Sequence, residues 1–202
     1  MSYLVLKTDL GQHQRNYLKK IQSASQHLLG IINDILDFSK IEANKLQVEQ
    51  VPFELSHLLD GFAHLIAERA SRKGLELIFH VARDVPDHLI GDPLRLNQML
   101  INYGNNAVKF TDRGEVVVGV EKVADHEDGV ELHFWVRDTG IGMAAESMQR
   151  VFEPFYRADP SRPHGSGLGL SIVSRLCDRF GWKIELDSEL GRGTTATIRF
   201  VP

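Results

Sequence analysis

The sequence has one cysteine, Cys177, in 202 residues. A disulfide framework within the chain is excluded, which fits a reducing compartment, and Cys177 reads as a small buried apolar residue on a helix. Basic charge is not in excess: 23 Lys and Arg stand against 27 Asp and Glu, for a formal net charge of -4. Nucleic-acid binding needs a basic footprint, so no nucleic-acid partner is expected. No apolar run approaches the roughly 20 residues of a membrane-spanning helix, and the first residues lack the pattern of a secretory signal. The expectation is a chain with no membrane contact of its own. Internal repeats and low-complexity segments are absent as well. Also missing are the G-x-G-x-x-G dinucleotide fingerprint and the G-x-x-x-x-G-K-[ST] phosphate loop.

What is present begins with a long helical period over residues 11–48. Ile21, Leu28 and Ile35 recur every seven residues, and Ala24, Ile31 and Phe38 do the same three places later. These are the a and d positions of a heptad seam, widened by Leu18 and Ile32 and weakened at Ser25. Such a helix, about 50 Å long for roughly 35 residues, cannot bury its own stripe and needs partners. Residues 1–48 are therefore expected to form a helical unit, with a corner near Asp9 to Gly11.

From residue 49 to 202 the pattern changes to mixed elements. "LQVEQVPFEL" reads as a short strand, residues 56–72 as a helix closed by Gly74, and "LELIFHVA" as a strand. Asp92 and Pro93 start a helix that runs to about Phe110. "EVVVGVEKV" and "VELHFWVRD" form a hairpin, and a helix occupies Gly165 to Phe180 before a final hairpin. Residues 143–164 are too long and too weakly periodic for an ordinary connection and read as a lid. The fold class is α+β: a long-helix unit followed by an α/β sandwich with helices on one face of a largely antiparallel sheet.

Three stretches carry candidate chemistry. In "NQMLINYGNNAVKF", Asn102 and Asn106 share a helix face with Lys109. Their amide oxygens suit a hard divalent cation or a phosphate, but a solvated polar stripe fits equally. "HGSGLGLS" places Gly165, Gly167 and Gly169 where a loop enters a helix, a setting whose free N–H groups cradle phosphate; a simple tight turn fits too. In "VRDTGIGM", Asp138 ends a strand and its carboxylate accepts from an exocyclic amine, with Gly140 and Gly142 letting the backbone pass a flat ring. An aspartate that only starts a turn fits this stretch alone.

Together, and in this order, the stretches resemble the ATP-binding domain of sensor histidine kinases, with the gyrase-type (Bergerat) fold that such domains have. "NQMLINYGNNAVKFT" is similar to the asparagine box, "DTGIGM" and "GSGLGLS" to the two glycine boxes, and "FEPFYR" to the phenylalanine box. "GRGTTATIRFVP" is similar to the closing box, with Ala196 where an aromatic is common. "YLKKIQSASQHLLGIINDILDFSKIEANKL" resembles the second helix of the dimerisation and phosphotransfer hairpin, as in hybrid kinases.

The resemblance implies ATP and Mg2+ as cofactors. It implies that Asp138 reads adenine, that Asn106 is the metal ligand, and that Asn102 supports the phosphate end. Lys109, Arg157 and Arg162 are implied phosphate contacts, Phe110 a wall of the adenine site, Thr195 a support on the adenine side, and Phe152 and Phe155 the anchors of the lid on the core. Gly165, Ser166, Gly167, Leu168 and Gly169 are implied to wrap the phosphates. Implied partners are a second copy of the chain, through the helical seam, and a response-regulator receiver domain. The implied location is the cytoplasm, with a parent protein that an inner-membrane anchor would suit. None of the nine histidines has the family's acceptor context: His13 reads "HQRN" and His27 "HLLG". The chain is therefore expected to start just after the acceptor segment, as a cut piece or a degenerate natural protein. A hydrolytic ATPase of the gyrase and chaperone type is an alternative, but its water-activating glutamate is replaced by Asn102. A non-catalytic nucleotide-sensing dimerisation module is another.

Overall fold

The computed structural model describes residues 5, 8, 10–43, 46–159 and 165–200, apart from the side chains of Gln26 and His27. Helix α1 spans Gln12–Glu42. Its a-position residues Ile21, Leu28 and Ile35 are 55%, 59% and 44% exposed and face away from the rest of the chain, whereas the d-position Ile31 borders the groove under the helix. A different face docks. Asp34, Asp37, Phe38, Ile41 and Glu42 recur at three and four residues, hence on one side, and Ile41 is buried. Phe38, a d position of the expected seam, turns inward instead. It lies 6.5 Å from the Phe155 ring and under the Arg175 guanidinium at 4.2 Å.

The remaining elements are β1 Val51–Glu54, α2 Leu55–Lys73, β2 Glu76–Val81, β3 His88–Gly91, α3 Pro93–Phe110, β4 Glu115–His126, β5 Gly129–Asp138, the single turn α4 Ala145–Met148, α5 Gly169–Phe180, β6 Lys183–Glu189 and β7 Gly193–Phe200. Strands β2, β4, β5, β7 and β6 form one sheet in that order. The β2–β4 pair is parallel and the others antiparallel. Strand β3 has no clear period in the sequence; it pairs with β1 in a small separate ribbon. The ribbon joins α2 through Asp87, whose carboxylate accepts from the Ser56 N–H at 2.7 Å and the Ser56 hydroxyl at 3.0 Å.

Helices α2, α3 and α5 cover one face of the sheet. Phe62 and Ile66 of α2, Met99 and Leu100 of α3, and Ile172 and Leu176 of α5 meet Val116, Val118, Phe134 and Ile198 of the sheet, all essentially inaccessible. Burial of each such side chain contributes about 1.5–3 kcal/mol. The opposite face is open: the Arg137 guanidinium stacks there 5.7 Å from the Trp135 ring. Among the described residues no helix is long and apolar enough to cross a membrane.

Candidate functional site

Helix α3 is fixed at both ends. The Asp92 carboxylate caps its start, accepting from the Arg95 N–H at 2.9 Å and the Glu49 N–H at 3.1 Å. Its last carbonyls, normally without partners, accept from the Lys73 ammonium of α2: Val108 at 2.7 Å, Lys109 at 3.0 Å and Thr111 at 2.9 Å. This fixes the end of the helix that carries Asn102, Asn106, Lys109 and Phe110.

Asp138 ends β5 beside that helix terminus. Its carboxylate accepts from the Gly140 N–H at 2.8 Å. Burial raises its pKa, and hydrogen bonds from the Gly140 and Thr194 N–H groups oppose the rise. The chain then threads between α3 and the β6–β7 turn. The Ile141 N–H donates to the Phe110 carbonyl at 3.2 Å, and the Ile141 carbonyl accepts from the Gly191 N–H at 2.7 Å. Gly142 has a φ of 62°, and a Cβ there would stand 2.0 Å from the Glu189 carbonyl oxygen. Glycine is needed at 142 because protein backbone, rather than a ligand ring, occupies the space.

Around Asp138 lies a cavity of about 230 Å³, lined among others by Tyr103, Asn106, Phe110, Val136, Gly142, Leu170, Leu186, Thr194 and Ala196. It is apolar except at a few points, which suits a flat heterocycle read by one carboxylate. The cavity continues into a polar groove between α1 and the core, lined by Asn102, Asn106, Lys109, Arg157, Gly165, Ser166, Gly167 and Gly169. Asn106 and Phe110 border both spaces.

The glycine loop closes the groove. A Cβ on Gly165 would meet the Lys109 Nζ at 3.0 Å, and one on Gly169 the Asn102 Oδ1 at 2.9 Å. Those contacts bring the helix face with the two asparagines against the loop. The Ser166 hydroxyl donates to the Asp34 carboxylate of α1 at 2.8 Å and accepts from the Leu168 N–H at 3.2 Å. Gly167 has a φ of 72°, and its carbonyl accepts from the Phe155 N–H at 2.9 Å. Phe155 itself has a φ of 65°, a region unfavourable for a side chain.

Most of the expected residues converge. Asp138, Phe110, Asn106 and Gly142 border the cavity, and Asn102, Lys109, Arg157, Gly165, Ser166, Gly167 and Gly169 the groove. Arg162 lies outside the described residues.

Four expectations change. Thr195 does not line the cavity: strand alternation places Thr194 and Ala196 there, while Thr195 pairs with Arg137 and Asp187 and shares their face. Leu168, expected to offer its N–H to phosphate, donates that N–H to the Ser166 hydroxyl at 3.2 Å instead, and its side chain is fully buried in the core. Gly140 is absent from the lining, because it packs under the Phe110 carbonyl. Phe155 is 63% exposed and leans on α1, so Val151, which is buried, is the lid residue closest to a core anchor.

The sequence reading missed Tyr103, Thr194 and Asp34. The apolar phase Ala196, Ile198, Phe200 was the signal for Thr194; an isolated Tyr or Asp gives none.

A family model for the histidine kinase-, DNA gyrase B- and HSP90-like ATPases matches residues 91–202. A model for the His Kinase A (phospho-acceptor) domain matches residues 2–44. The signal transduction histidine-protein kinase BarA of Escherichia coli strain K12 is 45% identical over 195 residues, which are 95% of this chain and 21% of that protein. The sensor histidine kinase GacS of Pseudomonas protegens is 44% identical over 196 residues, 96% of this chain and 21% of that protein. The chain thus spans about a fifth of the curated relatives it matches. Among solved structures, full-length ShkA in complex with AMPPNP aligns with a TM-score of 0.80 at 35% identity, covering 98% of this chain and 41% of that one. The Acinetobacter baumannii histidine kinase AdeS shares the fold, with a TM-score of 0.71 at 19% identity over 95% of this chain and 85% of that one. With a cavity built around Asp138, a glycine-framed polar groove and these matches, the chain belongs to the family of histidine kinase-, DNA gyrase B- and HSP90-like ATPases, preceded by a phospho-acceptor-domain segment.

Proposed function

We propose that this chain is the ATP-binding catalytic part of a two-component sensor histidine kinase, which in the full protein transfers the γ-phosphoryl of ATP to a histidine for relay to a receiver aspartate. The observation that carries this reading is the continuity of the two spaces: an apolar cavity ending in a buried carboxylate opens, past Asn106, into a polar groove walled by a helix of the phospho-acceptor-type segment. Adenine enters the cavity and donates its amino group to Asp138. Phe110 walls the base. Asn102, Lys109, Arg157 and the N–H groups of Gly165, Ser166, Gly167 and Gly169 receive the phosphates, and the loop orients them toward α1. Phosphoryl transfer asks mainly for such positioning and charge stabilisation.

The donor set fits magnesium held through the nucleotide. Among the described residues no cluster of three or more His, Cys, Asp and Glu side chains offers an all-protein metal cage, and Mg2+ characteristically keeps waters and phosphate oxygens with few protein ligands. Asn106, bordering both spaces, is the ligand we assign. Magnesium, when bound, neutralises charge on the phosphate oxygens.

The hydrolytic alternative lacks a base, because Asn102 occupies the place of the water-activating acid and an amide takes no proton from water. The exposed heptad residues of α1 support a homodimer, and the hybrid kinases among the relatives support a receiver domain as the downstream partner. His13 and His27 are the histidines within the phospho-acceptor match, and neither is followed by an acid. The test is a titration with Mg-ATP followed by incubation with radiolabelled ATP, alone and with an added acceptor helix carrying His followed by an acid. Binding, no labelling of the chain alone and base-stable labelling of the added helix are expected. Strong labelling of the chain alone would place the acceptor among its own histidines.

A further inference from the structure

Strand β6 alternates, with Ile184, Leu186 and Ser188 on its half-buried side, and Ser188 stands opposite Thr194 of β7. The apolar run of that side thus ends in a hydroxyl, and the hydroxyl has three partners. It accepts from the Met143 N–H at 2.9 Å, donates to the Gly193 carbonyl at 3.0 Å and lies 2.9 Å from the Thr194 hydroxyl. A serine hydroxyl has one proton and two lone pairs. With its proton on the Gly193 carbonyl, the Thr194 hydroxyl is the donor in the third bond, and nothing is left over. Gly193 and Thr194 are held beside β6 by the strand ladder in any case. Met143 is not: it follows the end of β5 and precedes α4, in no strand or helix. The attachment of Met143 is therefore what the hydroxyl adds. Met143 and Thr194 both border the cavity around Asp138, and Met143 also borders the groove, whereas Ser188 borders neither. The Thr194 N–H in turn donates to the Asp138 carboxylate. One side chain outside the cavity thus joins the first residue of the lid segment to the strand that holds Asp138.

We propose that Ser188 is a positioning residue of the nucleotide site: its hydroxyl pins Met143 to the β6–β7 pair and so fixes the border of the cavity that closes on the base. It acts through Met143 and Thr194 and does not touch the nucleotide. Its loss leaves the Met143 N–H without its partner and lets the root of the lid segment move away from the cavity. The groove residues Asn102, Lys109 and Gly165 make no bond to Ser188, so the phosphate end keeps its geometry. The proposal rests on the nucleotide reading above.

The experiment compares the chain with its Ser188→Ala and Ser188→Thr variants. Calorimetric titrations use ADP and adenosine, and thermal unfolding is followed without ligand. Ser188→Ala should bind ADP about tenfold more weakly and adenosine more weakly by the same factor, because the base border is what moves. Ser188→Thr keeps the hydroxyl and should bind both ligands as the wild type does. Wild-type affinities in Ser188→Ala overturn the proposal, and a melting temperature that falls alongside them makes the hydroxyl a purely structural one. A loss confined to ADP, with adenosine unaffected, also overturns it, since the effect then lies at the phosphate end. So does a Ser188→Thr variant as weak as Ser188→Ala. A wild-type chain that takes neither ADP nor adenosine overturns the nucleotide reading itself and this proposal with it.

Discussion

The Ser166 hydroxyl donates to the Asp34 carboxylate at 2.8 Å, tying the glycine loop to a helix 132 residues earlier in the chain. A carboxylate therefore stands where the proposed site receives phosphate, and it takes the one side-chain donor of that loop. Like charges so placed repel. Asp34→Asn should raise ADP affinity severalfold. Asp37→Asn, whose partners are Gln98 at 2.7 Å and Arg95 at 3.6 Å on α3, should raise it less. Calorimetry on the two variants checks this, and an Asp34→Asn affinity at or below wild type would separate the loop contact from nucleotide binding.

Gly167 and Gly74 form a matched pair for mutation. Both have positive φ, 72° and 68°, but a Cβ at 167 would stand 2.6 Å from the Phe155 backbone, while one at 74 meets nothing within 4 Å. Gly74→Ala should cost about 1–2 kcal/mol of stability from conformation alone and leave nucleotide affinity intact. Gly167→Ala should separate the loop from the lid and lower ADP affinity at least about tenfold. Unfolding and binding curves measured side by side distinguish the two.

The elements were legible where hydrophobic period and caps agree. The helix begun by Asp92 and Pro93 is an instance, and so is the hairpin of β4 and β5. The long helix was legible too, but not the division of its faces, since Phe38 fits a heptad seam as well as it fits Phe155. Periodicity records that a side chain is buried, not by what. The site residues were found through motif resemblance; spacing alone left each open. Thr195 was misplaced by one residue because the motif marks a strand, whereas the alternation of that strand selects the neighbour that faces the cavity. Asp34 needed coordinates because its partner Ser166 lies far away in sequence, and Tyr103 because helical phase does not show which space a side chain borders.

The exposed seam predicts association. Ile21, Leu28 and Ile35 are large apolar residues in water on one helix, and burying such a side chain contributes about 1.5–3 kcal/mol. Sedimentation equilibrium should show concentration-dependent self-association that Leu28→Asp reduces. An unchanged mass for both proteins over the accessible range would exclude this face as an interface.

Asp138 predicts two opposite pH dependences. Its carboxyl pKa is raised in the folded state, chiefly by burial. The stability it contributes is fully present below the unfolded value, near 3.8, and is lost as the pH rises through the raised folded value. Binding runs the other way, since the adenine amine needs the ionised acceptor, so affinity falls as the pH drops through the same range. Denaturant unfolding and ADP titration between about pH 4 and 7 should show opposite slopes that Asp138→Asn removes. At neutral pH that variant should bind ADP more weakly by about 1–3 kcal/mol. Parallel slopes would detach this carboxyl from the base.

Helix α1 is held on one side by charge together with Phe38 and Ile41, and is exposed on another as hydrocarbon. Asp34, Asp37 and Glu42 meet Ser166, Gln98, Arg95 and Arg175 of the core, while Ile21, Leu28 and Ile35 remain apolar and free of the core. Ionic strength acts on only one of these faces: added salt screens partly exposed charge pairs over about 10 Å or less and leaves apolar burial unweakened. The consequence is a helix whose two attachments respond to different properties of the medium. Concentrated salt would weaken the charged part of its grip on the nucleotide-binding domain while preserving, or strengthening, the self-association proposed for its exposed face.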